Sequence, residues 1–414
     1  MLQNALKYFF IFTAIFCTYT VSAITINPGD WYKWGGPNGN FIYDDPPGSK
    51  IKFDPQKLES PAILWKAEVG KGYSSVTIAG NMVFTMGYDR NTKKDSIYCL
   101  DLDSGKPVWQ YEYSGIAGNY EGSRATPVID KNRVYALSRN SILNCLDADK
   151  GRLLWSVDLV KKYGINLPNW HLGSSVLIDG DMLLINANEY GVALNKKDGD
   201  KIWISPSSLS GYATPVVFDY KGRHLAAMFN GRALCLVEAK SGKKLWSYNW
   251  APRNNVNVAD PLYFDGKIFI TSSYGTGCTL LDISGNVPKP LWTSHVISSH
   301  YTSCVYLDGY IYGVDDLAND STGKVLCVRP SDGKAMWQTP DIGPCQFVVI
   351  NKTLVILTDA GNIHMAPAKP DGYSETLKVT KISRPVNFTA PVYCHGKLFI
   401  RNSNGTLLCI DVAD

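Results

Sequence analysis

The chain has 414 residues, of which 45% are hydrophobic and 19% are charged, so it can bury a large core and is not a disordered protein. Its formal net charge of +4 is small and no block of Lys or Arg occurs, which removes the electrostatic case for nucleic-acid binding. Its 36 Gly, 24 Tyr and 11 Trp favour a fold of many short strands joined by turns.

The first 23 residues predict a secretory signal peptide. Lys7 is followed by the short apolar run YFFIFTAIFCTYTV, and small residues precede a cleavage site expected after Ala23. A membrane anchor and a lipidated Cys17 are the alternatives, but the run contains Thr and Tyr, and the bulky Phe16 precedes the cysteine. No other segment is long and apolar enough to be a transmembrane segment, so we expect a periplasmic or secreted protein.

Residues 24–60 follow as an arm rich in turn-forming residues. The segment WYKWGGPNGN at 31–40 contains several glycines, but no helix is predicted after them, so it does not describe a phosphate-binding loop. We therefore predict that this N-terminal arm packs on the domain formed by residues 61–414.

The remainder of the chain repeats one pattern. A Trp recurs at intervals of 44, 46, 48, 43, 46 and 45 residues, and most copies follow a phrase such as YCLDLDSGKPVW. This phrase predicts a strand, a tight turn in which Gly takes a positive φ, and a second strand, and another hairpin such as DKNRVYALS precedes it. Each repeat therefore predicts four antiparallel strands, called a to d, which is typical of a propeller blade. The recurring residues are Trp65, Trp109, Trp155, Trp203, Trp246, Trp292 and Trp337.

The two ends of the repeated region complete each other. Units ending at Trp109 to Trp337 predict six blades, and a seventh, around TLVILTDAGNIHMAPAKP, lacks the Trp. The eighth unit begins at TAPVYCHGKLFIRN and stops after strand c, whereas PAILWKAEV at 61–69 is a strand d without a unit of its own. We therefore predict one all-β domain, a monomeric eight-bladed β-propeller of four-stranded antiparallel blades, in which this N-terminal strand completes the C-terminal blade. An open solenoid is the alternative, but it has no use for complementary half-units.

Nine cysteines follow residue 23 without a C-x-x-C motif or an adjacent pair, so neither structural zinc nor c-type haem is indicated. The six His show no metal-ligand spacing either. Five of the cysteines occupy one equivalent position in the repeat and are predicted to be small buried hydrophobic residues. They are Cys99, Cys145, Cys235, Cys327 and Cys409.

The recurring phrase LDxxSGKxLW, preceded by strands of the type ATPVIDKNRVYALS, resembles the pyrroloquinoline-quinone (PQQ)-like repeat over residues 60 to 414. WYKWGGPNGN is similar to a segment that leads many exported bacterial members. The resemblance implies a propeller with one of two functions. Quinoprotein alcohol dehydrogenases bind PQQ and Ca²⁺ over the propeller axis, whereas BamB-like members bind proteins without a quinone. This chain lacks the adjacent cysteine pair of the dehydrogenases.

Candidate site residues come from the loops that enter strand a, because these loops converge around the axis of a propeller. Most of the residues at the start of strand a are Ser or Thr, which are predicted to hydrogen-bond backbone groups. Asp260 is the exception, and it is predicted either to bind a cation or an amine or to cap neighbouring amides. The eight positions are Ser75, Thr126, Ser175, Thr214, Asp260, Ser303, Phe347 and Ala390.

The positions two residues upstream carry four aromatic side chains and an Arg, which are suited to stack on a flat ligand, a sugar or a peptide, or to pack blade against blade. Asn257 and His300 lie one residue further out and add polar groups. In the long loop YGINLPNWHLGSS, Trp170 offers a flat surface and His171 a base or a ligand atom, or a structural hydrogen bond. Glu121 is expected to pair with the Arg of this set. The upstream positions are Tyr73, Arg124, Gly173, Tyr212, Val258, Tyr301, Cys345 and Phe388.

Two functions remain open. The absence of nucleophile and phosphate-loop motifs favours an exported, non-enzymatic binding propeller whose loop face holds a protein, a peptide or a glycan. The resemblance implies the alternative, a PQQ- and Ca²⁺-dependent oxidoreductase of alcohols or sugars, with PQQ on Trp170 and Arg124 near its quinone oxygens. Asp260 would then act as general base or, with Asn257, as a Ca²⁺ ligand. The candidate ligand-binding residues are Tyr73, Arg124, Trp170, His171, Tyr212, Asn257, Asp260, His300, Tyr301 and Phe388.

Overall fold

The computed structural model describes residues 24–316 and 321–414, so the predicted signal peptide lies outside the described residues. The described part forms eight separate antiparallel sheets, with one short helix, Leu159–Tyr163, and two 3₁₀ turns, Pro55–Glu59 and Arg253–Asn255. The prediction of an all-β, eight-bladed propeller is therefore confirmed. None of the helical segments in this part is long and apolar enough to cross a membrane.

The first four blades follow the predicted repeat. Blade 1 consists of Thr77–Ala79, Met82–Asp89, Lys94–Asp101 and Pro107–Ser114. Blade 2 consists of Val128–Asp130, Arg133–Leu137, Ile142–Asp147 and Leu153–Asp158. Blade 3 consists of Leu177–Asp179, Met182–Ile185, Val192–Asn195 and Lys201–Ile204. Blade 4 consists of Val216–Tyr220, Arg223–Phe229, Ala233–Glu238 and Lys244–Asn249.

The last four blades include the two that depart from the simple repeat. Blade 5 consists of Leu262–Phe264, Lys267–Ser272, Gly277–Asp282 and Lys289–Ser294. Blade 6 consists of Val305–Leu307, Tyr310–Asp315, Lys324–Arg329 and Lys334–Gln338. Blade 7 consists of Cys345–Ile350, Thr353–Thr358, Ile363–Pro367 and Leu377–Val379. Blade 8 consists of Val392–Cys394, Lys397–Arg401, Thr406–Asp411 and the N-terminal strand Ala62–Glu68.

The closing strand pairs as the sequence predicts. Ala62–Glu68 runs antiparallel to Thr406–Asp411, with Trp65 opposite Cys409. Blade 7 gains a fifth strand instead, because Ile42–Tyr43 pairs in parallel with its strand a. Since the first and last segments of the propeller share one sheet, the ring closes through backbone hydrogen bonds.

The repeated Trp and Gly connect neighbouring blades. Trp203 Nε1 of blade 3 donates to the carbonyl of Ala239 in blade 4 at 2.9 Å. Gly242, at φ 68°, lies against the same indole, so a Cβ there would come within 2.5 Å of the ring. Each of these repeated turns therefore needs Gly both for its positive φ and for the neighbouring Trp. The equivalent contacts are Gly105 with Trp65, Gly151 with Trp109, Gly199 with Trp155 and Gly333 with Trp292.

Strands a to c are largely buried, whereas strand d of each blade exposes alternate side chains at the outer edge. The nine cysteines in the described residues are free and buried, and burial raises the pKa of the Cys235 and Cys278 thiols to about 12. The prediction that the repeated cysteines are small buried hydrophobic residues is confirmed.

The N-terminal arm runs along the inner strands around the axis. The carbonyls of Trp31 and Tyr32 accept the N–H groups of Ile78 in blade 1 and Ile129 in blade 2, each at 2.9 Å. After a turn at residues 35–39, the carbonyl of Phe41 accepts a hydrogen bond from blade 7. The arm therefore contacts the strand-a edge of blades on different sides of the axis, which is a more central position than a segment packed on the outside.

Candidate functional site

A partial ring of hydrogen bonds joins six of the eight blades, from blade 1 to blade 6, where strand a begins. The hydroxyl of Thr126 accepts the N–H of Ser75 at 3.1 Å, and the hydroxyl of Ser175 accepts the N–H of Thr126 at 3.0 Å. Four of the five predicted hydroxyls therefore hydrogen-bond backbone groups, each by accepting an N–H, and Asp260 replaces a hydroxyl in the ring. The further contacts join Ser175 N to Thr214 Oγ1 at 3.2 Å, Thr214 N to Asp260 Oδ1 at 2.6 Å and Asp260 N to Ser303 Oγ at 3.0 Å.

The residues two positions upstream of this ring surround a cavity of about 430 Å³, here called the axial cavity. The predicted upstream positions of every blade except blade 7 line it. In blade 7 the lining residue is Pro344 and not Cys345, and the strand-start position is Gln346 and not Phe347. The alignment of blade 7 was wrong by one residue: Gln346, and not Phe347, lies four residues before the end of strand a at Ile350, as Ser303 lies before Leu307 in blade 6.

The tip of the N-terminal arm forms part of the cavity lining. Trp34 Nε1 donates to Asp260 Oδ2 at 2.7 Å, while Asp260 Oδ1 accepts the N–H of Thr214. Burial raises the pKa of Asp260 to about 6, and the hydrogen bonds from Trp34 and Thr214 oppose that rise. Both oxygens of the carboxylate are thus used by the protein itself, in the amide-capping manner. The sequence analysis did not assign Trp34 to the site.

One wall of the axial cavity is a continuous series of aromatic rings. The ring centroids of Tyr274 and His300 are 5.4 Å apart, those of His300 and Tyr301 5.1 Å, and those of Tyr301 and Phe388 5.1 Å. Phe388 in turn lies 5.2 Å from Tyr73. Burial lowers the pKa of His300 to about 4, so its imidazole is neutral at pH 7. This aromatic wall offers flat, uncharged surface to a ligand.

Arg124 supplies a positive charge on the side of the cavity near Tyr73. Its guanidinium carbon lies 5.5 Å from the Tyr73 ring centroid, and Nη2 donates to the carbonyl of Tyr120 at 3.2 Å. Nη1 is buried and has no hydrogen-bond partner in the described chain. Burial, with a smaller effect of Arg139, lowers the pKa of Arg124 to about 10. The group is still a cation at pH 7 and has one free donor.

Two carboxylates that the sequence analysis missed also line the cavity. Asp316 and Asp359 follow strand b in blades 6 and 7. Tyr301 Oη donates to both oxygens of Asp359 at 2.9 Å, and Asp316 Oδ1 accepts the N–H of His300 at 2.7 Å. Burial raises the pKa of each carboxyl to about 7, and no nearby Lys or Arg among the described residues lowers it. In the sequence, both residues could have been found from the Asp that directly follows strand b in YGVDD and in ILTD.

Eight of the ten predicted ligand-binding residues line the axial cavity, and His171 and Asn257 do not. Asn257 is fully buried, and its amide bonds to the carbonyl of Asn230 and the hydroxyl of Ser272. His171 lies beside the cavity at φ 64°, and burial followed by nearby Arg residues lowers its pKa.

The expected pair of Glu121 with Arg124 is not formed. Glu121 pairs with Arg90 of the blade 1 b–c loop at 2.6 Å instead. The prediction was wrong because the two side chains diverge: Arg124 extends over Tyr73 towards the axis, whereas Glu121 reaches the neighbouring loop.

The lining does not fit PQQ and Ca²⁺ in the arrangement considered from the sequence. Asp260 is occupied by Trp34 and Thr214, and Asn257 lies outside the cavity, so these two residues do not form a Ca²⁺ site. PQQ is a polycarboxylate, and the described lining carries three carboxyl groups but one guanidinium. Trp170 lines the cavity beside Tyr212, at an interplanar angle of 57°.

A family model for the outer membrane protein assembly factor BamB matches residues 93–339, which is more than half of the chain. The chain belongs to this BamB-like family. The BamB of Yersinia pestis is 25% identical over 374 residues, an alignment that covers 84% of this chain and 88% of that protein.

Solved structures with this fold include members of both functional groups. BamB from Moraxella catarrhalis superposes with a TM-score of 0.65 at 13% identity, covering 85% of this chain and 99% of that one. A europium-containing methanol dehydrogenase superposes with a TM-score of 0.71 at 10% identity, covering 93% and 98%. At these identities the likeness shows the propeller fold alone.

Proposed function

We propose that this BamB-like protein is an exported, non-enzymatic scaffold that binds a segment of a partner protein at the axial cavity. The observation that carries the proposal is the contact of Trp34 with Asp260. Asp260, the carboxylate that the oxidoreductase hypothesis assigns to catalysis or to Ca²⁺, accepts hydrogen bonds from the protein's own arm and from Thr214. The aromatic wall beside it is left for a partner to contact.

Family membership supports the same proposal. The relatives are named as outer membrane protein assembly factors, so we propose that this protein acts in the periplasm in the assembly of outer membrane proteins. A polypeptide suits the cavity better than a glycan, because the lining combines aromatic rings with charged groups of both signs.

The proposal is tested by site-specific photocrosslinking in the native host. A photoreactive residue replaces Tyr120, which lines the cavity and is 57% exposed, or Val287, which is 72% exposed in the c–d turn of blade 5. We expect adducts with components of the outer membrane assembly machinery from position 120 and not from position 287. Identical adducts from both positions, or unchanged amounts of outer membrane β-barrel proteins after deletion of the gene, would contradict the proposal.

The competing function is that of a quinoprotein oxidoreductase. The structural similarity to a methanol dehydrogenase is the reason to consider it. It is tested by titrating the purified protein with PQQ and Ca²⁺, reading Trp fluorescence, and then assaying dye reduction with alcohols and aldoses. We expect neither saturable quenching nor turnover, because three carboxyl groups in the lining repel the acidic quinone. Quenching that Asp260→Ala abolishes would favour the oxidoreductase.

A further inference from the structure

The carboxylates of Asp316 and Asp359 form an acidic corner of the axial cavity that has no counter-ion among residues 24–316 and 321–414. Asp316 is only 2% exposed, and its Oδ1 accepts the N–H of His300. Neither carboxylate forms an ion pair within the described chain, and the pKa of Asp316 is raised by burial and, to a smaller extent, by the charge of Asp359. Burying a carboxylate without a counter-ion is unfavourable. Two such carboxylates at one cavity therefore favour the binding of a cationic ligand.

The side chains around this acidic corner are suited to the same kind of ligand. His300 is neutral at pH 7, and its ring stands between those of Tyr274 and Tyr301. Aromatic faces attract ammonium and guanidinium groups, and the attraction grows when water is excluded. The acidic corner and the aromatic wall therefore favour one chemistry, an organic cation with apolar surface.

Resting on the proposed function, we propose that the axial cavity accepts a lysine or arginine side chain of the partner protein, with its charged group between Asp316 and Asp359 and its methylene chain along the aromatic wall. Insertion of the side chain supplies the missing counter-ion. Arg124 lines the other side of the cavity, where its positive charge favours an acidic group elsewhere in the same segment.

A calcium ion is a poorer occupant of the acidic corner. Ca²⁺ takes six to eight oxygen ligands, typically about 2.4 Å away. Both oxygens of Asp359 already accept the Tyr301 hydroxyl, and Asp316 Oδ1 accepts the His300 N–H. The remaining wall consists of carbon-rich rings, which do not coordinate hard cations but do contact organic ones.

The test uses the purified protein and blocked pentapeptides that differ only at the central residue, which is lysine, norleucine or glutamate. Binding is measured by calorimetry and by the fluorescence of the Trp residues that line the cavity, Trp34 and Trp170. We expect the lysine peptide to bind at least about 10-fold more tightly than the others. Asp316→Asn and Asp359→Asn should each remove most of that preference while keeping the acceptors for His300 and Tyr301. Asp371→Asn, an exposed carboxylate away from the cavity, is the matched control.

The outcomes separate this inference from the proposed function. Equal binding of the lysine and norleucine peptides, or a preference that survives both Asn variants, overturns the cationic side chain while the cavity remains a peptide site. Millimolar Ca²⁺ that competes with the lysine peptide and depends on the same carboxylates overturns it in favour of a metal. If no peptide binds although position 120 crosslinks to its partner, the inference fails and the scaffold function stands.

Discussion

At the scale of single residues, the axial cavity gives the same residue type two roles. Asp260 is half-buried and accepts hydrogen bonds at both oxygens, one from an indole and one from a backbone amide. Asp316 is more deeply buried, at 2% exposed, and has no ion-pair partner among the described residues. A carboxylate whose oxygens are hydrogen-bonded within the protein stabilises the structure, whereas a buried carboxylate without a counter-ion favours a cationic ligand. The partners of each Asp therefore decide its role.

Replacing Trp34 with Phe tests the structural role of Asp260. The ring is retained, but Asp260 Oδ2 loses its indole donor, so we expect the free energy of unfolding to fall by on the order of 1–3 kcal/mol in urea denaturation. Trp170→Phe is the matched control, because its indole N–H has no hydrogen-bond partner in the described chain, and it should change the value by less than about 0.5 kcal/mol. Equal losses in both variants would argue against the Asp260 contact.

Replacing Asp316 with Asn tests how much the buried negative charge of Asp316 lowers the free energy of unfolding. The amide keeps the acceptor for the His300 N–H and removes a buried charge, so at pH 8 we expect the free energy of unfolding to rise by on the order of 1–3 kcal/mol. Burial raises the pKa of Asp316 to about 7, whereas an unfolded Asp titrates near about 3.9. The folded protein therefore binds this proton more tightly, and the wild type loses stability as the pH rises from about 4 to 7.

The measurement is a series of urea denaturations between pH 4 and pH 8. The two proteins should converge near pH 4, where Asp316 is neutral in the folded wild type. The titratable groups around Asp316 are His300, Asp315 and Asp359, and the Asp371→Asn variant controls for their shared background. A constant difference between variant and wild type across this pH range would contradict the prediction.

At the scale of structural elements, the turn between strands c and d explains why the repeat can be read so easily. Its Gly adopts a positive φ and leaves room for the Trp of the preceding blade, as Gly242 does for Trp203. The indole N–H then bonds to a carbonyl of the same turn region. One motif thus encodes both a hairpin and a blade-to-blade contact, which is why it persists when other strand residues vary between repeats.

Gly242→Ala tests this double requirement. The new Cβ would lie 2.5 Å from the Trp203 ring at φ 68°, so we expect the free energy of unfolding to fall by more than about 2 kcal/mol. Gly180→Ala is the matched control, since it also has a positive φ but nothing within 4 Å of the Cβ, and it should cost only about 1 kcal/mol. Urea midpoints compare the two, and similar losses would show that backbone strain alone matters.

At the scale of the whole molecule, closure of the ring depends on one strand from the beginning of the propeller. Ala62–Glu68 covers Thr406–Asp411, and Trp65 lies opposite the buried Cys409. The N-terminal arm adds contacts along the inner edge of several blades. Since the first and last elements share blade 8, weakening this contact should open the ring there before the rest unfolds.

Thiol labelling tests that order of opening. In the native protein we expect fewer than about one reactive thiol per chain, because the nine described cysteines are buried and burial raises their pKa. Trp65→Ala should expose Cys409 and Cys394 of blade 8 to labelling first, as located by mass spectrometry. Trp203→Ala is the control and should not favour these two. Uniform labelling in both variants would contradict opening at blade 8.

The sequence by itself determined the blade count, the closing strand and most of the axial lining. Trp spacing, turn glycines and the alternation of apolar residues are local patterns, so they can be recognised without knowledge of the fold. The alignment of equivalent loop positions then reached Tyr73, Tyr301 and Asp260 because a propeller repeats its geometry as well as its sequence. It failed by one residue in blade 7, where the aligned Phe347 lies one residue closer to the a–b turn than the equivalent residue of blade 6 does.

Only the tertiary structure decided which of those residues are free to act. The hydrogen bond of Trp34 to Asp260 joins residues 226 positions apart, and the acidic corner joins loops of different blades. No local pattern encodes such contacts, because they depend on where the N-terminal arm and the b–c loops meet at the axis. The positions of these segments determine whether a carboxylate at the axis has a hydrogen-bond partner within the protein. That difference separates a structural Asp from one that needs a ligand.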